Sequence, residues 1–243
     1  MNITILYEDK ELIVCEKPVG VPSQSDKSLT VDLASQIKNY LYEKEGKPNP
    51  YVAVVHRLDR SVGGVMVYAK TKEAAADLSR QITEGSMKKH YLTVVTADFS
   101  KALEKEGILQ DYLVKDARSN TSKIVTKGIK DAKEAKLRYQ VLATSTVEYR
   151  SEKMPVSLLE IALFTGRHHQ IRLQMSKYFG GVWGDTKYNK AFQNVRGWTN
   201  VALFAYSLTF THPKTKKEIS FRAYPSAMPF DQFEITSLLE EKL

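Results

Sequence analysis

This 243-residue chain has one cysteine and no long hydrophobic run, and its first residues do not resemble a signal peptide. The single cysteine, Cys15, excludes an internal disulfide, and its place in the apolar run Leu12–Cys15 favours packing in a core. No apolar run approaches the roughly 18 residues of a membrane helix. No basic segment with a small-residue cleavage site follows Met1. These absences predict a cytoplasmic protein with no membrane anchor and no redox or zinc framework.

After the first fifty residues, basic side chains outnumber acidic ones. The whole chain has a formal net charge of +8. Its first fifty residues hold six lysines and eight acidic residues, a net charge of −2, so the remainder carries +10. A positive field of this kind favours a polyanionic partner, with RNA or DNA preferred to a membrane surface.

Hydrophobic periodicity predicts more strands than helices. The predicted strands cover residues 3–7, 12–16, 65–69, 87–95, 135–143, 156–163, 201–211 and 217–222. Predicted helices cover residues 30–45, 72–84 and 229–241, and a further helix opens with Thr165 as its N-cap. Residues 98–134 are the most polar part, with a loop predicted at 116–122. Most strands follow one another without a helical crossover, so we expect a largely antiparallel sheet in an α+β fold.

A charged turn from Arg57 to Arg60 lies between two apolar, strand-like runs, and Gly63-Gly64 follows it. Asp59 therefore has a guanidinium on each side. A carboxylate in a loop braced by rigid strands is a candidate for chemistry. The competing interpretation is a surface turn with a screened Arg–Asp pair, which contributes little to stability.

A basic helix start from Thr165 to Arg172 holds a second group of polar residues. On a helix, His168 and Arg172 share one face next to the apolar stripe, where a guanidinium calls for an anionic partner. Asp59 or a phosphate could supply that partner, and a solvated face that binds nothing is the alternative. The pair His168-His169 is not expected to bind a metal, because adjacent helical side chains diverge by about 100°.

Two further polar places are Lys89 with Tyr91, and the turn from Gly184 to Tyr188. The chain has no Gly-rich phosphate loop, and Ser61 has no convincing histidine partner for a hydrolase triad. After these exclusions, the sequence predicts a site of one carboxylate, two arginines and a tyrosine, without a cofactor or metal. Such a set suits covalent or acid–base chemistry at a sugar or base carbon.

Five segments of the chain carry motifs that occur together in one enzyme family. In chain order they are Asp9-x₇-Lys17-Pro18-x-Gly20, His56-Arg57-Leu58-Asp59-Arg60 with Gly64 and Ala69-Lys70, Lys89-x-Tyr91, Thr165-Gly166-Arg167-x-His169-Gln170-Ile171-Arg172, and Gly184-Asp185-x-x-Tyr188. Together they resemble the motifs of the RluA-type pseudouridine synthases. The resemblance implies the pseudouridine synthase fold, with a long mixed, mainly antiparallel sheet, flanking helices and a central basic cleft. We expect residues 1–243 to form a single catalytic domain without a separate N-terminal S4 RNA-binding domain.

The resemblance also implies a reaction, the isomerisation of specific uridines in ribosomal or transfer RNA to pseudouridine without a cofactor. The base is detached at its N1–C1′ bond, rotated and rejoined through C5. Asp59 matches the family's catalytic aspartate, which acts as a nucleophile or removes a ribose proton. Tyr91 matches the tyrosine that lies against the target base, and Arg172 matches the arginine that pairs with the aspartate.

Four further positions are expected to contact the RNA. Arg57 matches the arginine near the vacated position in the RNA stack, where a guanidinium can replace lost stacking. Arg60, His169 and Lys89 are expected to bind substrate RNA. Without an S4 domain, we expect the basic surface of the catalytic domain to contact the RNA. Candidate residues on this surface include Lys88, Arg118, Lys123, Lys127 and Lys214 to Lys217. A monomer is the default expectation.

Several positions depart from the family's pattern. Ser61-Val62-Gly63 replaces a hydroxyl-rich segment, Gln174 replaces a histidine, and His168 replaces a small hydroxyl residue. None of them is a predicted catalytic position, so we expect an active enzyme. One alternative is a catalytically impaired RNA-binding protein or assembly factor on the same fold. Another is a glycosidase, which normally needs two placed carboxylates.

Overall fold

The structure, a computed structural model, describes residues 3–25, 30–102, 104–197 and 199–240. Its strands are β1 (Thr4–Glu8), β2 (Leu12–Lys17), β3 (Ala53–Val54), β4 (Gly63–Ala69), β5 (Lys88–Val95), β6 (Glu106–Asp116), β7 (Thr121–Val125), β8 (Lys133–Tyr149), β9 (Glu152–Leu163), β10 (Leu203–Thr211) and β11 (Glu218–Arg222). Its helices are α1 (Leu33–Glu45), α2 (Lys72–Glu84), α3 (Gln170–Tyr178) and α4 (Ile235–Glu240). The chain divides into two compact units, the first Met1–Lys89 with Ala205–Ala223 and the second His90–Phe204 with Tyr224–Leu243.

The first unit is built on β2 and β4. β2 pairs with β1 and with β4, and both pairings are antiparallel. β3 pairs with β4, and β11 with β10, in the same sense. All of β4 and the apolar part of β2 are buried, which is the pattern of strands covered on both faces. Cys15 lies in β2 and is fully buried as predicted, and burial raises the pKa of its thiol to about 12.

Two helices of the first unit confirm the predicted periodicity. α2 has the predicted limits, with Thr71 as its N-cap and Gly85 in the left-handed conformation after its last residue. α1 begins three residues later than predicted. The Asp32 carboxylate caps it by accepting a hydrogen bond from the Ser35 backbone N–H at 3.1 Å.

The second unit contains a run of antiparallel pairs in the order β9-β8-β6-β7. β6 and β7 lie within the polar segment 98–134, where no strand is predicted. Asp111 is buried on β6 between Leu109 and Leu113, so a carboxylate interrupts the apolar alternation that marks a strand. The predicted loop is right only for residues 117–120, which join the two strands.

The helix predicted from Thr165 begins five residues later, at Gln170. Thr165 is not its N-cap, because its side chain accepts a hydrogen bond from the β8 backbone and donates one to the Gln170 side chain at 2.8 Å. The N-cap is His169, whose φ of 56° puts it in the left-handed region. His168 therefore precedes the helix, and the prediction that it shares a helical face with Arg172 is wrong.

The C-terminal helix is shorter than predicted. A 3₁₀ turn at Phe230–Gln232 comes first, and α4 follows it. Residue 241, the last of the predicted helix, lies outside the described residues. Within the part of the chain that the structure describes, no helix is long and apolar enough to cross a bilayer.

Candidate active site

Asp59 stands in a tight turn that buried side chains brace. The Val62 N–H donates to the Asp59 carbonyl at 2.9 Å and closes the turn. The buried Ser23 hydroxyl donates to the Leu58 carbonyl at 2.9 Å and accepts from the Leu58 N–H at 3.1 Å. The Tyr68 hydroxyl in turn donates to the Ser23 carbonyl at 2.9 Å. The turn is therefore rigid, while the Asp59 side chain itself is only half-buried.

Just after this turn, the backbone at Gly64 comes close to the backbone of Ala205. Its φ is 124°, and a Cβ at this position would lie 2.2 Å from the Ala205 carbonyl oxygen. Both observations require glycine, because no other residue adopts this conformation without strain or fits the space. The close approach expected at the glycine pair is thus present at Gly64.

Lys17, the lysine of the first motif, is fully buried next to the turn. Its ammonium donates to the carbonyls of Pro18 and Val21 at 2.9 and 2.7 Å and lies 3.5 Å from the Arg60 carbonyl oxygen. Desolvation lowers the pKa of Lys17 to about 7, and the negative charge of Asp59 opposes that shift. Lys17 therefore ties two loops together and puts a positive charge within electrostatic reach of Asp59.

The two arginines that flank Asp59 have different environments. Arg60 Nε donates to the Gly20 carbonyl at 2.8 Å, and its Nη2 donates to Thr30 Oγ1 at 3.0 Å. The Gly20 N–H returns a hydrogen bond to the Arg60 carbonyl at 2.8 Å. Arg57 is exposed to solvent, as an RNA-facing group must be. Arg60 thus braces the loop after β2, and the RNA contacts expected of both arginines stay predictions.

His56 and Lys89 influence each other in the first unit. His56 Nε2 accepts a hydrogen bond from the Val67 N–H at 3.1 Å. Desolvation, together with the charge of Lys89, lowers the pKa of His56 to about 3. Burial also lowers the pKa of Lys89. His56 is therefore a neutral structural residue, as predicted, and Lys89 lies near the start of the Asp59 turn.

The second unit holds the predicted site residues Tyr91, His169 and Arg172. Tyr91 lies on β5 and is 8% exposed. His169 caps α3, and Arg172 lies in its first turn. All three side chains are buried, so packing restricts their rotamers, which is the condition for a pre-organised site.

Arg172 forms a two-point ion pair with Asp185. Its Nε and Nη2 atoms donate to the two carboxylate oxygens, each at 2.7 Å. Asp185 Oδ1 also accepts from the backbone N–H groups of Lys187 and Tyr188 at 2.9 and 3.2 Å. The guanidinium lies over the Tyr188 ring, 5.3 Å from its centroid. The pairing of Arg172 with Asp59 that the motifs imply stays a prediction.

Hydrogen bonds join the β7 strand to the start of α3. The Tyr188 hydroxyl accepts from the Ser122 N–H at 2.7 Å, and its own hydrogen is available to His169 Nδ1, 2.8 Å away. Ser122 Oγ donates to the His168 carbonyl at 2.9 Å, so the 2.9 Å contact with His168 Nδ1 requires the imidazole as donor. The two imidazole rings stack with centroids 3.8 Å apart. The Tyr188 hydroxyl and the face of the His168 ring therefore both hold His169 in place.

The segment that carries Asp185 is fixed by aromatic packing. The rings of Tyr149, Trp183 and Phe192 lie 5.0–5.2 Å apart, centroid to centroid. Gly184 has a φ of 75°, and a Cβ there would lie 2.1 Å from the Asn200 carbonyl oxygen. The predicted turn in this segment is therefore present and tightly packed.

Gln174 and Asp111 form a buried polar contact between α3 and β6. Gln174 Nε2 donates to Asp111 Oδ2 at 2.8 Å, and Asp111 Oδ1 accepts from Lys177 and Tyr178 at 2.6 and 3.1 Å. Gln174 Oε1 is buried and has no hydrogen-bond partner among the described residues. Three donors from one helix thus hold α3 against β6, at the cost of one unsatisfied acceptor.

A family model described as RNA pseudouridylate synthase matches residues 11–177 of the chain. That span takes in Asp59, Tyr91 and Arg172. The chain belongs to the RNA pseudouridylate synthase family. Members of this family are isomerases that act on RNA, so the RluA-type resemblance of the motifs is confirmed.

The relatives of this family member include two named bacterial enzymes. The "tRNA pseudouridine synthase C" of Haemophilus ducreyi is 33% identical over 247 residues, which cover 96% of each chain. The "Ribosomal large subunit pseudouridine synthase D" of Nitrosomonas europaea is 31% identical over 218 residues, 87% of this chain and 58% of that protein. The solved structure of human RNA Pseudouridylate Synthase Domain Containing 1 has a TM-score of 0.75 at 21% identity and covers 99% of this chain and 94% of that chain. The protein therefore has the pseudouridine synthase fold, as its motifs predict.

Three residues next to the predicted site residues were not predicted as members of the site. Lys17, Asp185 and Tyr188 each belong to a recognised motif, so a signal for them is present in the sequence. Ser122 and Asp111 carry no such signal, because their partners lie 46 and 63 residues away in the chain. Among the described residues, no three His, Cys, Asp or Glu side chains are placed to hold a metal ion.

Proposed function

We propose that this protein converts specific uridines in transfer or ribosomal RNA to pseudouridine, with Asp59 as the catalytic carboxylate and without a cofactor. Asp59 attacks C1′ or removes a ribose proton, and the N1–C1′ bond breaks. The uracil turns, and a bond forms between C5 and C1′ as the Asp59–C1′ bond breaks or the ribose regains its proton. N1 takes up a proton, and C5 loses one. Tyr91 is the candidate for handling the proton that leaves C5. The product is an isomer of the substrate, so the reaction needs no oxidant, reductant or second substrate.

The environment of Asp59 is the observation that best supports this proposal. Asp59 is a motif carboxylate in a braced turn, half-exposed, with the buried Lys17 ammonium in electrostatic reach. A rigid loop keeps a reacting carboxylate oriented, and the protonated form of a neighbouring lysine stabilises negative charge in the site. Arg172, the motif arginine, is proposed to pair with Asp59 in the working site while Asp185 orients its guanidinium. This arrangement rests on the motif roles and on the geometry of the Arg172–Asp185 pair.

RNA is the proposed substrate class, and the names of the relatives support it. One relative is named for transfer RNA and another for the large ribosomal subunit. The net charge of +8 suits a polyanion. In this proposal Arg57, Arg60, His169 and Lys89 contact the RNA in a central basic cleft. We further propose a single catalytic domain that acts as a cytoplasmic monomer.

An isosteric variant tests the role of Asp59. Asp59→Asn keeps the shape of the side chain and removes its charge, and we expect it to slow pseudouridine formation at least about a thousandfold. The measurement is tritium release from RNA that carries C5-labelled uridine. Asp98→Asn makes the same chemical change at an exposed aspartate and should keep the wild-type rate. Wild-type activity in Asp59→Asn would show that the proposed mechanism is wrong.

The same assay separates an enzyme from a protein that only binds RNA. Purified wild-type protein should release tritium from bulk transfer or ribosomal RNA isolated from a strain that lacks the gene. A catalytically impaired assembly factor would bind that RNA and release none. Mapping the new pseudouridine in the RNA then identifies the target uridine.

A further inference from the structure

An open concavity of about 480 Å³ lies along the β6–β7 hairpin of the second unit. Three apolar and three basic residues contribute to its lining: Val114, Val125, Ile129, Lys115, Arg118 and Lys123. Its volume falls within the range of sites that hold a small ligand. No residue proposed above for catalysis lines it.

The hairpin register explains why apolar and basic groups meet in one place. Val114 pairs directly with Lys123 across the antiparallel strands, so both side chains lie on the same face. Val125 is two residues beyond Lys123 and shares that face. Ile129 comes from the turn after β7, where its N–H donates to the Thr126 carbonyl at 3.4 Å. Ile129 is also 51% exposed, which is unusual for an isoleucine without a partner surface.

Basic residues outnumber acidic ones in the concavity, where Asp116 is the one acidic lining residue. No carboxylate that the structure describes lies within 4.0 Å of the charged groups of Lys115, Arg118 or Lys123, whereas Arg138 and Lys177 elsewhere in this unit have such partners. The one acidic residue of the wall, Asp116, lies within electrostatic reach of Lys123 and offsets part of its charge, and its carboxylate is also bonded to the hairpin backbone. Its Oδ1 accepts from the Arg118 N–H at 2.9 Å and from the Ser119 N–H at 3.4 Å. Arg118 and Lys123 beside an apolar floor favour a ligand with a phosphate and a flat or apolar body.

The concavity is also firmly connected to α3. Ser122, which is next to Lys123, bonds to the Tyr188 hydroxyl and to His168. The Lys187 ammonium donates to the Asn120 carbonyl at the hairpin tip, at 2.9 Å. A ligand in the concavity would therefore sit at a set distance from Arg172, which lies over the Tyr188 ring.

We propose that this concavity binds a nucleotide of the substrate RNA that flanks the target uridine. The phosphodiester lies against Arg118 and Lys123, and the ribose or base lies on Val114, Val125 and Ile129. This contact holds the RNA backbone and takes no part in the bond changes. The inference rests on the proposed function, because it assigns a second contact for the same RNA.

A double variant, Arg118→Gln with Lys123→Gln, tests the basic wall. Both side chains are exposed, so the fold should be unaffected, and thermal unfolding checks this. We expect RNA affinity to fall about tenfold and the slope of log Kd against log salt concentration to drop by about two. KM should rise in step, while the single-turnover rate at saturating RNA stays at the wild-type value. Lys72→Gln with Lys101→Gln removes the same charge from exposed positions elsewhere and should leave Kd and KM near wild type.

A second variant, Ile129→Asp, tests the floor by placing a carboxylate where the RNA is proposed to lie. It should weaken RNA binding further without changing the single-turnover rate. If both variants keep the wild-type Kd, salt slope and KM while the wild-type enzyme is active, the inference is overturned. Loss of the saturated rate in Arg118→Gln with Lys123→Gln would also overturn it, because the contact would then act on the chemical step.

Free nucleotides and RNA share the phosphate chemistry, so a competition experiment separates them. Uridine monophosphate and inorganic phosphate at millimolar concentration should not displace the RNA from the wild-type protein. Displacement by the monophosphate, lost in Ile129→Asp, would assign the concavity to a free nucleotide and overturn the inference. An inactive wild-type protein whose RNA affinity still falls in the double variant would contradict the proposed function alone.

Discussion

Arg172 and Asp185 form a buried ion pair, with side chains only 6% and 0% exposed. Both N···O distances are 2.7 Å, the geometry of a guanidinium forked onto a carboxylate. The pair joins the first turn of α3 to the loop that ends at Tyr188. It therefore sets the position of the arginine to which the proposed mechanism gives a role.

Removing the charge of Asp185 should destabilise the protein strongly. We expect Asp185→Asn to lower the free energy of unfolding by about 3–5 kcal/mol, because the buried Arg172 guanidinium loses its compensating charge. The asparagine oxygen can still accept from the Lys187 and Tyr188 N–H groups, while its amide NH2 faces the Arg172 Nε–H, so the variant removes the charge together with one acceptor. Urea unfolding measures the effect. The control is Glu218→Gln, which breaks the exposed pair with Lys88 at 3.2 Å and should cost less than about 1 kcal/mol. Equal effects of the two variants would contradict the prediction.

The Tyr188 hydroxyl should protect the backbone of Ser122. In Tyr188→Phe the Ser122 N–H loses its acceptor and His169 Nδ1 loses a neighbour, so we expect a loss of about 1–3 kcal/mol of stability. Amide hydrogen exchange at Ser122 should become faster. Tyr42→Phe, at a residue 54% exposed, is the matched control and should change neither quantity. Unchanged exchange at Ser122 in Tyr188→Phe would count against the bond.

The buried Lys17 should make stability depend on pH. Its pKa is lowered to about 7 in the folded protein, from about 10.4 in an unfolded chain, so the unfolded state binds more protons between these values. The free energy of unfolding should therefore gain a component that rises with pH above 7, by at most about 1.4 kcal/mol per pH unit.

Urea unfolding of wild type and Lys17→Met between pH 7 and pH 8.5 measures this component. The Cys15 thiol, whose pKa burial raises to about 12, ionises at about pH 8.5 in an unfolded chain and acts in the opposite sense. Both proteins contain Cys15, so its contribution cancels in the difference between their profiles. Lys17→Met should have the flatter profile, and Lys101→Met, at an exposed lysine, should follow wild type. Parallel profiles for wild type and Lys17→Met would refute the assignment.

Two glycines with positive φ should differ sharply in their tolerance of alanine. At Gly64 a Cβ would lie 2.2 Å from the Ala205 carbonyl oxygen, so Gly64→Ala should cost more than about 3 kcal/mol and slow catalysis at the adjacent turn. At Gly46, with a φ of 68° and open space around the new atom, Gly46→Ala should cost only about 1 kcal/mol. Thermal unfolding compares them. Similar costs would mean that β10 yields to the new methyl group.

Whether an element could be predicted depends on how far apart along the chain its interacting residues lie. Both limits of α2 could be predicted, since its caps and apolar spacing lie within a few residues of one another. β6 could not, because Asp111 occupies an inward position and only its contacts with α3 make a buried carboxylate acceptable. The prediction of where α3 begins was wrong for a related reason. The Thr165 side chain, a good cap by type, is taken up by β8, 29 residues away in the chain.

The sequence by itself determined the family, the identity of Asp59 as the carboxylate on which the motifs centre, and the strand-rich antiparallel character of the fold. Motif spacing and side-chain alternation are properties of neighbouring residues, so they can be read without coordinates. Tertiary structure alone decided that Lys17 is fully buried, that Asp185 is a partner of Arg172, and that a basic concavity forms on the β6–β7 hairpin. Desolvation and ion pairing depend on which distant segments pack together, and no local pattern records that.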